Sequence, residues 1–272
     1  MPVFSLRHTA IIGVGSLIVL TSCSSPAPTN THTAEFYWSA ARQTYSTGDY
    51  VKTIDNLDHL IGGPNEYVSR AIPWTLVLTS GMASGYMELA DQYSAGAHAN
   101  KAEAPEFLHQ AMKYRTAASR LALQFAQNVE RMDQVPAGAI LLDFPLPIGT
   151  AATPPLFTAV VKGVVLSKED EDAALELSIQ RNVLLSACLA AGAANDPAKA
   201  EAILGDGSAS IPRVTFAQAV AKMLDKESSL YSRNKLDDPR KLAVFHQRAQ
   251  AVLDDAATFG TARVLKAQAT VR

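Results

Sequence analysis

Few of the chain's acids and bases fall at spacings that chemistry can use. Glu106 and His109 stand three apart, which puts a carboxylate and an imidazole on one helical face. A di-iron bundle needs two such pairs plus two further glutamates, and a second pair is missing from the sequence. Asp55 and His59, four apart, could share a metal, but no third ligand can be identified. The run Lys168-Glu169-Asp170-Glu171-Asp172 lacks the alternating oxygen ligands and the glycine of a calcium loop. Acids in a first helical turn, set against the helix dipole, account for it. Gly81-Met82-Ala83-Ser84-Gly85 has its serine out of place for a nucleophile elbow, and His-Glu-x-x-His does not occur. No glycine loop that could cradle a phosphate lies between a strand and a helix. Gly205-Asp206-Gly207-Ser208 reads as turn chemistry ahead of Pro212. Cys188 lies in Val183-Leu184-Leu185-Ser186-Ala187-Cys188-Leu189, an apolar setting that raises a thiol pKa and suits a small buried hydrophobe. These residues predict no catalytic group, no metal and no cofactor.

Composition narrows the choice further. The 272 residues are 48% hydrophobic and 18% charged, with 24 Lys and Arg against 26 Asp and Glu. That is enough apolar material for a sizeable core, and a formal net charge of -2 offers no field for nucleic acid. Two cysteines are too few for a disulfide framework.

The apolar residues recur at helical spacing. Phe107, Ala111, Tyr114, Ala118, Leu121, Phe125 and Val129 draw one stripe along a helix from about 105 to 132, with Pro105 in its first turn. Leu242, Phe245, Ala249, Val252, Ala256 and Phe259 draw another, begun by Asp238 as cap with Pro239 inside it. Further helices are expected at about 35–47, 50–62, 70–96, 168–192, 197–204 and 215–232. Ser167 would cap the fourth of these, and Thr215 would open the last with Gln218 three residues on. Small residues at Ala83, Ser84, Gly85, Ala117, Ala118 and Ala122 allow close helix approach. Sustained alternation is absent after residue 34. The expected fold is all-α, of stacked antiparallel helical hairpins in a solenoid or bundle, with no strands.

The amino-terminal stretch sets an address. Arg7 and His8 precede an uncharged, mostly apolar run from Thr9 to Leu20, too short to span a bilayer comfortably and typical of a secretory leader. Its end, Leu20-Thr21-Ser22-Cys23, resembles the lipobox of bacterial lipoproteins. The resemblance implies cleavage after Ser22, a diacylglyceryl group on Cys23 and further acylation of the new amine. Two or three acyl chains hold a protein stably on a membrane. Ser24 in the next position implies sorting to the outer membrane, facing the periplasm. Residues 1–22 are thus expected to be a signal peptide and 23–34, rich in Ser, Pro and Thr, a flexible tether. A single helical domain would then occupy 35–272.

Two weaker resemblances bear on that domain. Tyr37, Ala41 and Tyr45, then Gly48-Asp49-Tyr50, Thr53, Leu57 and Pro64, resemble a tetratricopeptide repeat, although Thr53 stands where alanine is usual and no second copy follows. A generic helical hairpin with a glycine turn accounts for the same residues. The run Ile72-Pro73-Trp74-Thr75-Leu76, then Gly85 to Tyr93, then Tyr114-Arg115, is distantly similar to the T component of tripartite ATP-independent periplasmic transporters. That likeness implies a lipoprotein of stacked hairpins.

Residues 137–166 stand apart, as the centre of an insert at about 133–167. They carry Asp143 and Lys162 as their charges, with prolines at 145, 147, 154 and 155. The segment reads as a loop and short helix buried on the helical stack, as a lid or docking surface, or as a stretch dipping into lipid. Trp38, Tyr45, Trp74 and Tyr86, with Phe144, Leu146 and Phe157 of the insert, are the residues that could line a groove for a partner or ligand. Aromatic residues at helical spacing more often form core. The expectation is a lipid-anchored envelope module that binds a peptide or protein, with a periplasmic carrier or transport accessory for a small apolar ligand as the alternative.

Overall fold

The computed structural model describes residues 33–205 and 207–270, with side chains up to 258. Cys23, the leader and nearly all of the tether lie outside the described residues, as does the Phe259 side chain. The helices are α1 (Ala34–Ser46), α2 (Tyr50–Ile61), α3 (Val68–Ala99), α4 (Ala104–Val129), α5 (Pro155–Val161), α6 (Lys168–Ala190), α7 (Pro197–Leu204), α8 (Arg213–Ser228) and α9 (Pro239–Thr270). The fold is all-α, a bundle of helical hairpins, as the spacings predict.

Helix α3 is the axis of the bundle. Every residue from Ala71 to Gly85 is buried, so it is apolar or small on all sides, as a helix enclosed by others must be. It packs on α2, α4, α5, α6 and α8. Glycine is what lets α6 come close. A Cβ on Gly81 would lie 2.5 Å from Val183 Cα, and one on Gly85 2.9 Å from Ile179 Cα. Helices α1 and α2 form the hairpin read from the glycine turn, with Gly48 at φ 77°. Asp49 caps α2 by accepting from the Lys52 amide at 3.2 Å. Thr53 is fully buried, and its hydroxyl donates to Asp49 O at 2.8 Å within reach of Thr44 Oγ1 at 3.0 Å. Its polar atom is therefore satisfied where a repeat would carry alanine.

Caps at Ser167 and Asp238 form as expected, accepting from Asp170 N at 3.1 Å and Lys241 N at 3.0 Å. Two expectations are corrected. Strands do occur: β1 (Ala139–Leu142) and β2 (Ala209–Pro212) pair antiparallel, Ala139 opposite Pro212 and Leu142 opposite Ala209. Ile140, Leu142, Ala209 and Ile211 face inward, an alternation of four residues per strand, too short to register against a helical background. Helix α8 also starts at Arg213 rather than Thr215, running directly out of β2. The Arg213 guanidinium does the work of a tie here, donating to Val135 O at 2.6 Å and Met132 O at 2.8 Å, carbonyls at the end of the turn that follows α4.

Part of the insert enters the core. Phe144 is 1% exposed, and its ring lies 5.0 Å from Trp74, 4.7 Å from Tyr45 and 5.2 Å from Trp38. Beside it Asp143 accepts from Arg70 Nε at 2.5 Å, while the Arg70 guanidinium covers the Trp38 ring at 4.6 Å. Phe157 and Val160 of α5 enter a second cluster with Tyr93, Phe107 and Tyr114. No described helix is long and apolar enough to cross a membrane.

Candidate functional site

The aromatic residues proposed for a groove hold the bundle together instead. Trp38, Tyr45, Trp74, Phe144 and Phe157 are all buried, and Tyr86 and Leu146 are half-buried against the same clusters. Tyr45 donates to Pro145 O at 2.5 Å, and burial, with Tyr50 beside it, pushes its pKa well up. None of the seven lines a cavity described below. Packing wins because a flat ring gains most by removing both faces from water.

The spacings that could have held a metal are otherwise engaged. Glu106 accepts from Gln110 at 3.0 Å on an exposed face, and His59 stacks on Tyr37 with ring centroids 4.3 Å apart. Among the described residues no three His, Cys, Asp or Glu side chains gather closely enough for a metal ion. Lys168 pairs with Asp172 at 2.5 Å, an exposed helical pair. Glu171 turns inward to accept from Lys113 at 2.7 Å and from Tyr114. Burial works to raise the Glu171 pKa, but those two donors outweigh it, and the carboxyl is held below its ordinary value. Cys188 is buried, and burial takes its thiol to about 11, out of range for thiolate chemistry.

The polar groups that converge do so where α3, α6 and α8 meet. A cavity of about 420 Å³ lies there, walled by Ser84, Met87, Glu88, Asp91 and Gln92 of α3, by residues of α6 between Arg181 and Leu189, by Asn195 of the α6–α7 loop and by Lys226 of α8. Lys226 and Asn195 are exposed, so the cavity opens to solvent. Ala194, next to Asn195, takes a left-handed backbone with φ 55°, a conformation that non-glycine residues adopt at a cost.

The charges in its wall are matched one by one. Glu88 accepts from Arg181 Nη1 at 2.5 Å and Asn182 Nδ2 at 2.6 Å, with Ser178 Oγ at 3.2 Å. Arg181 is fixed from behind by Ala151 O at 2.9 Å. Asp91 accepts from Lys235 at 2.7 Å and has Arg115 at 3.8 Å. Lys226 differs: its ammonium donates to the neutral Asn182 Oδ1 at 3.1 Å, and among the described residues no carboxylate stands within ion-pair distance of it. Protein packed around the ammonium lowers its pKa by desolvation, against the more distant pull of Glu88 and Glu227. Behind it Glu227 is fully enclosed and makes no hydrogen bond through either carboxyl oxygen. Burial pushes its pKa well up, with the nearby Ser80 hydroxyl and Lys226 offsetting only part of this.

The sequence motifs pass over this cluster. Its one legible signal is a polar face inside apolar helices: Glu88 and Asp91 interrupt α3 three residues apart, and Ser178, Arg181 and Asn182 do the same on α6. Nothing in the spacing of either helix says that they meet. No family model, no curated protein and no solved structure matches the chain.

Proposed function

We propose that the protein is a binding module without catalytic machinery, held on the cell envelope by a lipid on Cys23 and facing the periplasm. The observation that supports binding of a small molecule over a peptide is the cavity among α3, α6 and α8, whose carboxylates are already paired and whose ammonium at Lys226 is not. A general base or nucleophile needs a reacting partner within hydrogen-bond reach, whereas paired, immobilised charges around an open cavity suit recognition. The lining mixes charged and amide groups with Met87, Leu185 and Leu189. A purely apolar ligand would strip water from those charges without replacing its hydrogen bonds, so this site favours a polar one.

A protein partner is the second reading. It is favoured by Leu108 and Met112, 54% and 48% exposed one turn apart on α4. Thermal unfolding of the purified protein with size-fractionated envelope extract separates the two. The small-molecule reading predicts that the fraction below about 1 kDa raises the midpoint and that dialysis reverses the gain, as mass action requires. A gain confined to the macromolecular fraction would favour the partner reading.

A further inference from the structure

The cavity also carries the chemical class of its occupant. The geometry points to a small hydroxylated oxyanion, a polyol bearing one carboxylate or phosphate head, seated with that head on Lys226. This rests on the reading of the cavity as a small-molecule site and goes beyond it.

Lys226 has donors that the protein's own groups leave over. An ammonium has three N–H donors, and Lys226 spends one on Asn182 Oδ1. Asn182 cannot neutralise it, because a carboxamide carries no charge; its nitrogen donates to Glu88 and to Ser178 O at 2.9 Å. Glu88 in turn is held by Arg181, and Asp91 by Lys235 and Arg115. Glu227, enclosed and pushed toward its protonated form, supplies little counter-charge. The lining itself carries as many acids as bases, but Glu88 and Asp91 are each held by another cation, so Lys226 is the cation of the wall without a carboxylate at ion-pair distance among the described residues. A cation at the mouth of a concave site attracts an anion more strongly than one on a convex surface does.

The remaining donors and acceptors fit hydroxyl groups. Ser84 Oγ is buried in the wall with no hydrogen-bond partner. Ser186, Gln92 and Asn195 line the same space. A ligand with several hydroxyls on a short carbon frame meets Ser186, Gln92 and Asn195, and its frame lies against Met87, Leu185 and Leu189. A cavity of about 420 Å³ accommodates a molecule of hexose size.

The test is isothermal titration of the full-length protein in detergent at low ionic strength, with gluconate and glycerol 3-phosphate as the two anionic heads and glucose and glycerol as their neutral counterparts. At least one anion is expected to bind, and the head that binds identifies the source as carboxylate or phosphate. The neutral compounds are expected to bind at least about tenfold more weakly, the factor that loss of one charge-assisted hydrogen bond represents. Lys226→Gln should weaken the anion at least about tenfold, while Lys226→Arg, which keeps the charge, should retain most of the affinity. Unchanged thermal midpoints in both variants exclude misfolding as the cause. The inference is overturned if neither anion binds, if a neutral polyol binds as well as its anion, or if Lys226→Gln leaves binding intact. A small molecule from envelope extract that stabilises wild type and Lys226→Gln equally would overturn it while leaving the binding reading in place.

Discussion

Glu227 sits where water does not reach, with neither carboxyl oxygen hydrogen-bonded. Its raised pKa makes a statement about stability. A carboxyl that holds its proton more tightly when folded contributes stability that is fully present below its unfolded pKa and is lost as pH rises through the folded value. The midpoint of unfolding should therefore decline as pH climbs above the ordinary carboxylate range, and Glu227→Gln should flatten that decline and unfold at higher temperature than wild type at pH 8. A variant whose pH profile runs parallel to the wild-type profile would contradict this. Glu171 works in the opposite window: held below its ordinary pKa, it contributes above that value and loses the contribution as pH falls. The sequence hints at neither behaviour. Lys226-Glu227 reads as an ordinary charged pair on a helix, and only the packing of α3 against α8 turns one outward to a cavity and the other into the core.

Among the elements, the insert shows what was legible and what was not. Its low charge and scattered prolines mark it as no tail or linker, and its buried rings agree with the reading of a segment packed on the stack. Where it packs is not legible, because Phe144 meets Trp74, Tyr45 and Trp38 across separations of seventy or more residues that no local periodicity encodes. The same limit hides the β1–β2 pair, four residues each, whose partners are far apart in sequence. The expected helix bounds fall within about four residues of the observed ones, since stripes such as Phe107 to Val129 and caps such as Ser167 and Asp238 are local. If Phe144 is core, Phe144→Ala should cost about 3–5 kcal/mol in equilibrium unfolding. Ile148, 71% exposed four residues on, should tolerate Ser within about 0.5 kcal/mol. Equal effects at the two positions would mean that the insert does not plug the bundle. The aromatic residues that could line a groove show a related limit: a ring packed in a core and a ring in a binding cleft look alike until the opposing surface is known.

For the molecule as a whole, the spacing of apolar residues carries the architecture, while the envelope address and the binding site are proposals. The address rests on the resemblance of Leu20-Thr21-Ser22-Cys23 to a lipobox, the architecture on helical spacing, and the site on a meeting of α3, α6 and α8 that brings together residues more than a hundred positions apart. The account requires that this meeting place be occupied in the cell. The most direct measurement is native mass spectrometry of the protein extracted from the envelope of its own host under mild detergent, run beside Lys226→Gln. The account predicts a non-covalent adduct in the mass range of a small organic anion on the wild-type protein, lost or strongly depleted in the variant. A wild-type spectrum with no small-molecule adduct, indistinguishable from that of Lys226→Gln, would contradict it.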